Sequence, residues 1–169
     1  MHEETTKPAI VIDTCIWIDL AKAGILQEAF SLPYKLIDPD LIVQEEVRPT
    51  NWHKLANLGL NFIPASVDEV VEVSRIRNAN RNISFYDASV LELAKRLAVT
   101  LVTDDGSLTK VARNFSVPVE GITWLLNEMV IHNCITGTEA TIALHRINQS
   151  GHVIQTSILD KYKKMWETQ

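Results

Sequence analysis

Six acids in this chain stand where carboxylate chemistry would need them. Asp13 closes the apolar run Ala9-Ile10-Val11-Ile12, and Asp104 and Asp105 follow the run that begins at Val99. Asp87 comes three residues after Ser84, at the head of a helical pattern, and Glu45 and Glu46 lie beyond Pro39. No two of these groups are neighbours in sequence, so only the fold can gather them. Carboxylates gathered in one place repel one another and raise each other's pKa values, and a hard divalent cation relieves that repulsion. Oxygen-only donors favour Mg²⁺ or Mn²⁺ over zinc. A pair of such ions roughly 3.5–4 Å apart stabilises the attacking and the leaving oxygen of a phosphodiester displacement, which then needs no nucleophilic side chain.

The elements that must position these acids are legible in the pattern. Ala9 to Asp13 is a short β-branched run, as in a buried parallel strand. Cys15 to Phe30 has helical spacing, with Gly24 dividing it into two helices. Tyr34 to Asp38 reads as a weak strand, and Pro39 as the opening of a helix through Leu41, Ile42 and Val47. Leu60 to Pro64 predicts a strand, and Ser66 or Asp68 caps a helix from Val67 to about Ala79. Arg75 to Asn82 is polar and turn-like. Ser84 and Asp87 form the S-x-x-D pattern of a capping box ahead of Ala88, Leu91, Ala94 and Leu97. A strand at Val99 to Val102, a helix at Ser107 to Asn114, a strand at Val117 to Val119 and a helix at Ile122 to Val130 complete the alternation. Strands alternating with helices imply an α/β fold in which a central parallel sheet is covered on both faces. In such a sheet, residues at the carboxyl ends of strands gather along one edge, where ligands bind.

After Ile131 the alternation stops. Thr138 to Gln149, closed by Gly151, and a last helix from Thr156 to about Trp166 read as a helical hairpin, giving an expected division into 8–130 and 131–169. Ile142, Leu144 and Ile147 on one helix, with Ile158, Leu159 and Tyr162 on the next, are expected to pack on the core or on a partner. With 169 residues the chain fits one α/β domain plus this appendage. Its 16 Lys and Arg against 21 Asp and Glu leave a net charge of −5, so any contact with nucleic acid must be local or metal-mediated. Cys15 and Cys134 lack the spacing of zinc or redox motifs and suit a reducing cytoplasm. The apolar stretch from Ala9 to Leu26 is broken by Asp13, Asp19 and Lys22, which argues against a signal peptide or a membrane span.

Ile10-Val11-Ile12-Asp13-Thr14, Val43-Gln44-Glu45-Glu46-Val47, Tyr86-Asp87-Ala88 and Leu101-Val102-Thr103-Asp104-Asp105 together resemble the acidic motifs of PIN-domain ribonucleases, over about Pro8 to Met129. That family includes the VapC-type toxins of toxin–antitoxin pairs. The resemblance implies a three-layer α/β/α PIN-like domain and cleavage of RNA with Mg²⁺ or Mn²⁺. It also implies a small antitoxin protein and a second copy of the chain as partners. By the same resemblance Asp13, Glu46, Asp87 and Asp105 are the metal-binding, catalytic acids, supported by the hydroxyls of Thr14 and Thr103. Glu45 competes with Glu46, and Asp104 with Asp105, because helix or loop phase decides which member of each doublet faces inward; the second of each is the favoured reading. The tail after Ile131 is longer than compact toxins need.

Each feature has a plainer reading as well. Asp87 serves as a capping residue in either case. Arg75, Arg77 and Arg81 could hold RNA phosphates, although a solvated helix end explains them slightly better. Lys161, Lys163 and Lys164 suit a helix C-terminus. His145 and His152 flank a turn and read as surface residues, and Trp17, Trp52 and Trp124 as packing residues. Two other classes compete with a nuclease. One is a catalytically silent PIN-like module that binds RNA or protein. The other is a phosphoryl-transfer enzyme with Asp13 as nucleophile; it is disfavoured because Cys15 stands where a second Asp would be expected.

Overall fold

Three β-branched residues in the run Ala9-Ile10-Val11-Ile12 suit an extended backbone buried on both faces, and they form strand β1 (Ala9–Ile12) in the middle of the sheet. The structure, a computed structural model, describes residues 7–42 and 52–168. Around β1 are β2 (Lys35–Pro39), β3 (Asn61–Ile63), β4 (Thr100–Val102) and β5 (Val119–Glu120). All pairings are parallel, in the order β3-β2-β1-β4-β5. The chain builds outward from β1 through β2 to β3, then returns to lay β4 on the other side of β1. The direction of winding therefore reverses between β1 and β4. A crevice opens at such a reversal beyond the carboxyl ends of the two strands.

Eight α-helices are described: α1 (Thr14–Ala23), α2 (Trp52–Leu58), α3 (Val67–Ala79), α4 (Phe85–Leu97), α5 (Gly106–Asn114), α6 (Ile122–Ile131), α7 (Gly137–Gln149) and α8 (Thr156–Glu167). The sheet with helices on both faces is the three-layer α/β/α architecture. Helix α4 lies across β1, β2 and β4 with α3 and α5 beside it, while α7 packs on α1 and α6, and α8 on α6 and α7. Val90, Leu91, Leu93 and Ala94 of α4 are fully buried, as are Val11, Ile12, Leu101 and Val102 of the strands. None of the described helices is long and apolar enough to cross a membrane.

Several local expectations change. Gly24 does end α1, in the left-handed conformation (φ 79°) that glycine adopts without steric cost; beyond it the chain forms a 3₁₀ turn, Glu28–Ser31, rather than a second α-helix. Pro39 ends β2 instead of opening a helix, and Asp40–Ile42 form a 3₁₀ turn. The rest of the helix expected through Val47, with Glu45 and Glu46, lies outside the described residues. Helix α2 went unforeseen. Helix α3 runs to Ala79, so Arg75 and Arg77 are helical and not in a turn.

In the tail, Leu144 and Ile147 are buried against the core together with Ala140 and Ala143, but Ile142 is 46% exposed. The apolar face of α7 is thus set by residues 140, 143, 144 and 147. Arg146 Nη1 donates to the Ala23 carbonyl at 2.9 Å, and Trp166 Nε1 to Asn127 Oδ1 at 3.2 Å. The hairpin is joined to α1 and α6 by polar as well as apolar contacts.

Candidate active site

Asp13 comes directly after β1 and precedes the first residue of α1. Its backbone N–H donates to the Val102 carbonyl at 2.9 Å, fixing it to the end of β4. The side chain turns inward and is only 4% exposed. Its Oδ2 accepts from Thr103 Oγ1 at 2.7 Å and from Cys15 Sγ at 3.1 Å. Thr103 is itself buried, and its Oγ1 accepts from the Asp105 backbone N–H at 3.1 Å. A relay from the Asp105 amide through the Thr103 hydroxyl to the Asp13 carboxylate therefore sets the rotamer of the acid. Burial raises the Asp13 carboxyl above its ordinary range, the Thr103 and Cys15 bonds pull it back, and the charge of Asp87 pushes it up again. Burial and the neighbouring Asp13 push the Cys15 thiol far up, so it stays protonated as a donor.

Asp87 reaches the same region from α4. Ser84 caps that helix: its backbone N–H donates to Asp87 Oδ2 at 2.7 Å, and Asp87 N–H donates to Ser84 Oγ at 3.0 Å. The capping box expected from sequence is present, and its half-buried carboxylate still acts electrostatically on Asp13. Of the second doublet, Asp105 is the N-cap of α5, with Oδ1 accepting from Leu108 N–H at 2.7 Å. Asp104 turns toward the start of α6, where Oδ2 accepts from Ile122 N–H at 2.9 Å. Gly121 permits this approach, since a Cβ there would run into the Asp104 carboxylate.

The crevice thus joins Asp13, Asp87 and Thr103, with Asp105 linked through its backbone. Among the described residues no set of three or more His, Cys, Asp or Glu side chains is grouped as a metal site, and Glu45 and Glu46 fall outside them. Arg75 is engaged by Glu72 at 2.7 Å and is largely exposed; Arg77 is half-buried on α3, and Arg81 is exposed beyond its end. Trp17 and Trp52 are packing residues, as expected.

A divalent cation fits the residues present. The groups that shift Asp13 are a hydroxyl, a thiol, a backbone N–H and a second acid, with no cation among them. Beside it the Thr14 hydroxyl is buried with no hydrogen-bond partner among the described residues. Hard oxygen donors and a protonated thiol suit Mg²⁺ or Mn²⁺ better than a soft metal.

Sequence reading missed one feature. Asp19, in the middle of α1, is 5% exposed, and its Oδ2 lies 2.5 Å from His152 Nδ1. His152 belongs to the turn between α7 and α8, and its Nε2 lies 3.8 Å from Asp104 Oδ2. It is therefore not a plain surface residue. A lone acid inside the apolar run Ile16-Trp17-Ile18-Asp19-Leu20 was the available signal; nothing in the sequence around His152 pointed back to α1. An open cavity of about 450 Å³ borders this pair, lined also by Cys15, Lys22, Asp104 and Asp105.

A family model described as "DUF3368: PIN domain" matches residues 9–168. The match includes the helical tail, beyond the segment in which the acidic motifs lie. Among curated proteins nothing matches.

Proposed function

Because the chain belongs to the PIN-domain family, whose members are generally nucleases, we propose that it is a Mg²⁺- or Mn²⁺-dependent endoribonuclease. The observation that carries this reading is Asp13: a buried carboxylate at the β1/β4 reversal, bonded by Thr103 and facing the charge of Asp87. Asp13 and Asp87, with Asp105 and Glu46, would hold the cation. Bound there, the ion supplies Lewis-acid polarisation of the phosphodiester and neutralises its charge. Thr103 holds Asp13 in one rotamer through the hydrogen bond at 2.7 Å. Ser84 fixes Asp87 through the capping box. Cys15 donates to Asp13 and stays out of the chemistry as a nucleophile.

The resemblance to VapC-type toxins extends the proposal to a cytoplasmic toxin held by a small antitoxin protein and acting as a homodimer. The rival is a catalytically silent RNA- or protein-binding module. It draws on the engagement of both Asp104 and Asp105 by helix N-termini.

Incubation of purified protein with single-stranded RNA and Mn²⁺ or Mg²⁺ tests the reading. Asp13→Asn, Glu46→Gln and Asp105→Asn are each expected to abolish cleavage, while Glu45→Gln and Asp104→Asn retain much of it. Mn²⁺ should also raise the melting temperature of the wild type, through binding to the native state, and Asp13→Asn with Asp105→Asn should remove that gain. Wild-type protein that leaves RNA intact with either metal would favour the silent module.

A further inference from the structure

Helix α8 is only half covered by the rest of the chain. Of its apolar residues Trp166 alone is buried, while Ile158, Leu159, Tyr162 and Met165 are half-buried. Gly137 at the start of α7 lies against the Trp166 backbone near the end of α8, so the two helices run antiparallel. Between them is a groove of about 260 Å³, floored by Leu144, Leu159 and Trp166. The charges along it decide what kind of molecule it suits. Asp160 and Lys163, one turn apart on α8, are exposed on its rim with no ion pair among the described residues. Glu167, in the last turn, is also exposed and unpaired among them. The other end of α8 is positive: its N-cap, Gln155, makes no side-chain cap and its first turn holds no acid. The free N–H groups and the helix dipole are therefore unanswered there.

We propose that a second copy of this chain covers the α7–α8 groove, with the two α8 helices antiparallel about a two-fold axis. A ligand of one sign would meet its own sign somewhere along this rim, whereas a second α8 does not. Asp160 falls opposite Lys163 of the second copy, Lys163 opposite its Asp160, and Glu167 opposite the open start of its α8 at Thr156. The face is self-complementary, as a two-fold contact requires. Its extent sets the strength: α8 spans about 18 Å, and a face two helices wide is at the lower end of stable interfaces, so the dimer is weak. The inference deepens the homodimer reading by giving it a surface, and it does not depend on nuclease activity.

The test is sedimentation velocity of the full chain, without metal or RNA, over a concentration series from micromolar to millimolar. The wild type should pass from monomer to dimer within the series. Asp160→Lys and Lys163→Asp each set like charges opposite one another at both symmetric contacts. Each should weaken the dimer about tenfold, since one exposed pair is worth up to about fivefold and the two-fold makes two of them. Mixed in equal amounts, the two variants should pair with each other about as tightly as the wild type does, because each brings the sign that the other lacks. A defect in the folding of either variant could not produce that recovery. Val71→Asp, at a position on α3 that is 53% exposed, should leave the dimer unchanged. A wild type that stays monomeric throughout would overturn the proposal and leave the groove to a different protein. Undiminished dimerisation of the single variants, no recovery on mixing, or an equal loss in Val71→Asp would overturn it as well. Because mass is read without cleavage, failure of this interface is distinct from failure of the nuclease reading.

Discussion

Gly121→Ala perturbs one contact whose consequence can be worked out in advance. Gly121 is the N-cap of α6 with an extended backbone (φ −112°, ψ −176°), a conformation open to any residue. Backbone strain is therefore not the obstacle; the Asp104 carboxylate is, because a Cβ would run into its Oδ1. To make room, Asp104 must leave the Ile122 N–H, which then loses its cap at a cost of about 0.5–2 kcal/mol. For a chain of this size each kcal/mol moves the melting temperature by roughly 2–4 °C, so the expected loss is about 1–8 °C. Asp104→Ala removes the same bond from the other side and also removes the obstruction. Adding Gly121→Ala to it should then cost less than about 0.5 kcal/mol, and the cycle should show coupling of at least that size. Urea unfolding of the four proteins measures it. Additive costs would mean that the carboxylate does not lie over Gly121 in solution, and the account of Asp104 as an α6 cap would fall with it.

Burial sets two more outcomes. The folded-state pKa of Asp13 is raised above its ordinary value of 3.8 by burial and by Asp87, so the stability this group contributes is full below that value and is lost as pH rises through the folded-state pKa. In metal-free protein Asp13→Asn should remove that part of the pH dependence, as tracked by urea unfolding from acid to neutral pH; parallel curves for wild type and variant would contradict it. In the tail, Leu144→Ala should cost about 2–5 kcal/mol and Ile142→Ala no more than about 0.5 kcal/mol, measured in the same way. Equal costs would mean that α7 packs in a different phase.

How far the sequence could be read depended on the range of the forces involved. The run Ala9 to Ile12, the Ser66 and Ser84 caps and the periodicity of α4 are local, and each leaves its mark within a few residues; these are legible nearly to the residue. Trp52–Leu58 left too little pattern, since seven residues span about two turns and their main burial, Trp52 and Leu55, needs only two positions. The exposure of Ile142 turned on which side of α7 meets α1 and α6, which no window of sequence contains. Likewise the strand-end acids were visible because β-branched runs lead into them, whereas the 2.5 Å contact of His152 with Asp19 joins residues that only the tail's path brings together.

The Asp104–Asp105 doublet meets the same limit inside the site. Sequence alone poses a choice of one inward and one outward carboxylate, and resemblance favours Asp105. In the fold the two acids diverge toward different helices: Asp105 accepts the Leu108 N–H of α5, and Asp104 accepts the Ile122 N–H of α6. Consecutive residues leaving a strand end are driven apart when two helix N-termini, each with unpaired N–H groups and a favourable dipole, lie on either side. What distinguishes the two is the connection to Asp13. Asp105 reaches it through its own amide and Thr103 Oγ1, while Asp104 faces His152 and Asp19. The Asp105 backbone is therefore tied to the crevice and its carboxylate to α5, while the Asp104 carboxylate is tied to α6 and faces the tail. Substituting Asp105 should act through the start of α5 and leave the amide bond to Thr103 in place, whereas substituting Asp104 should act through α6 and the α7–α8 turn.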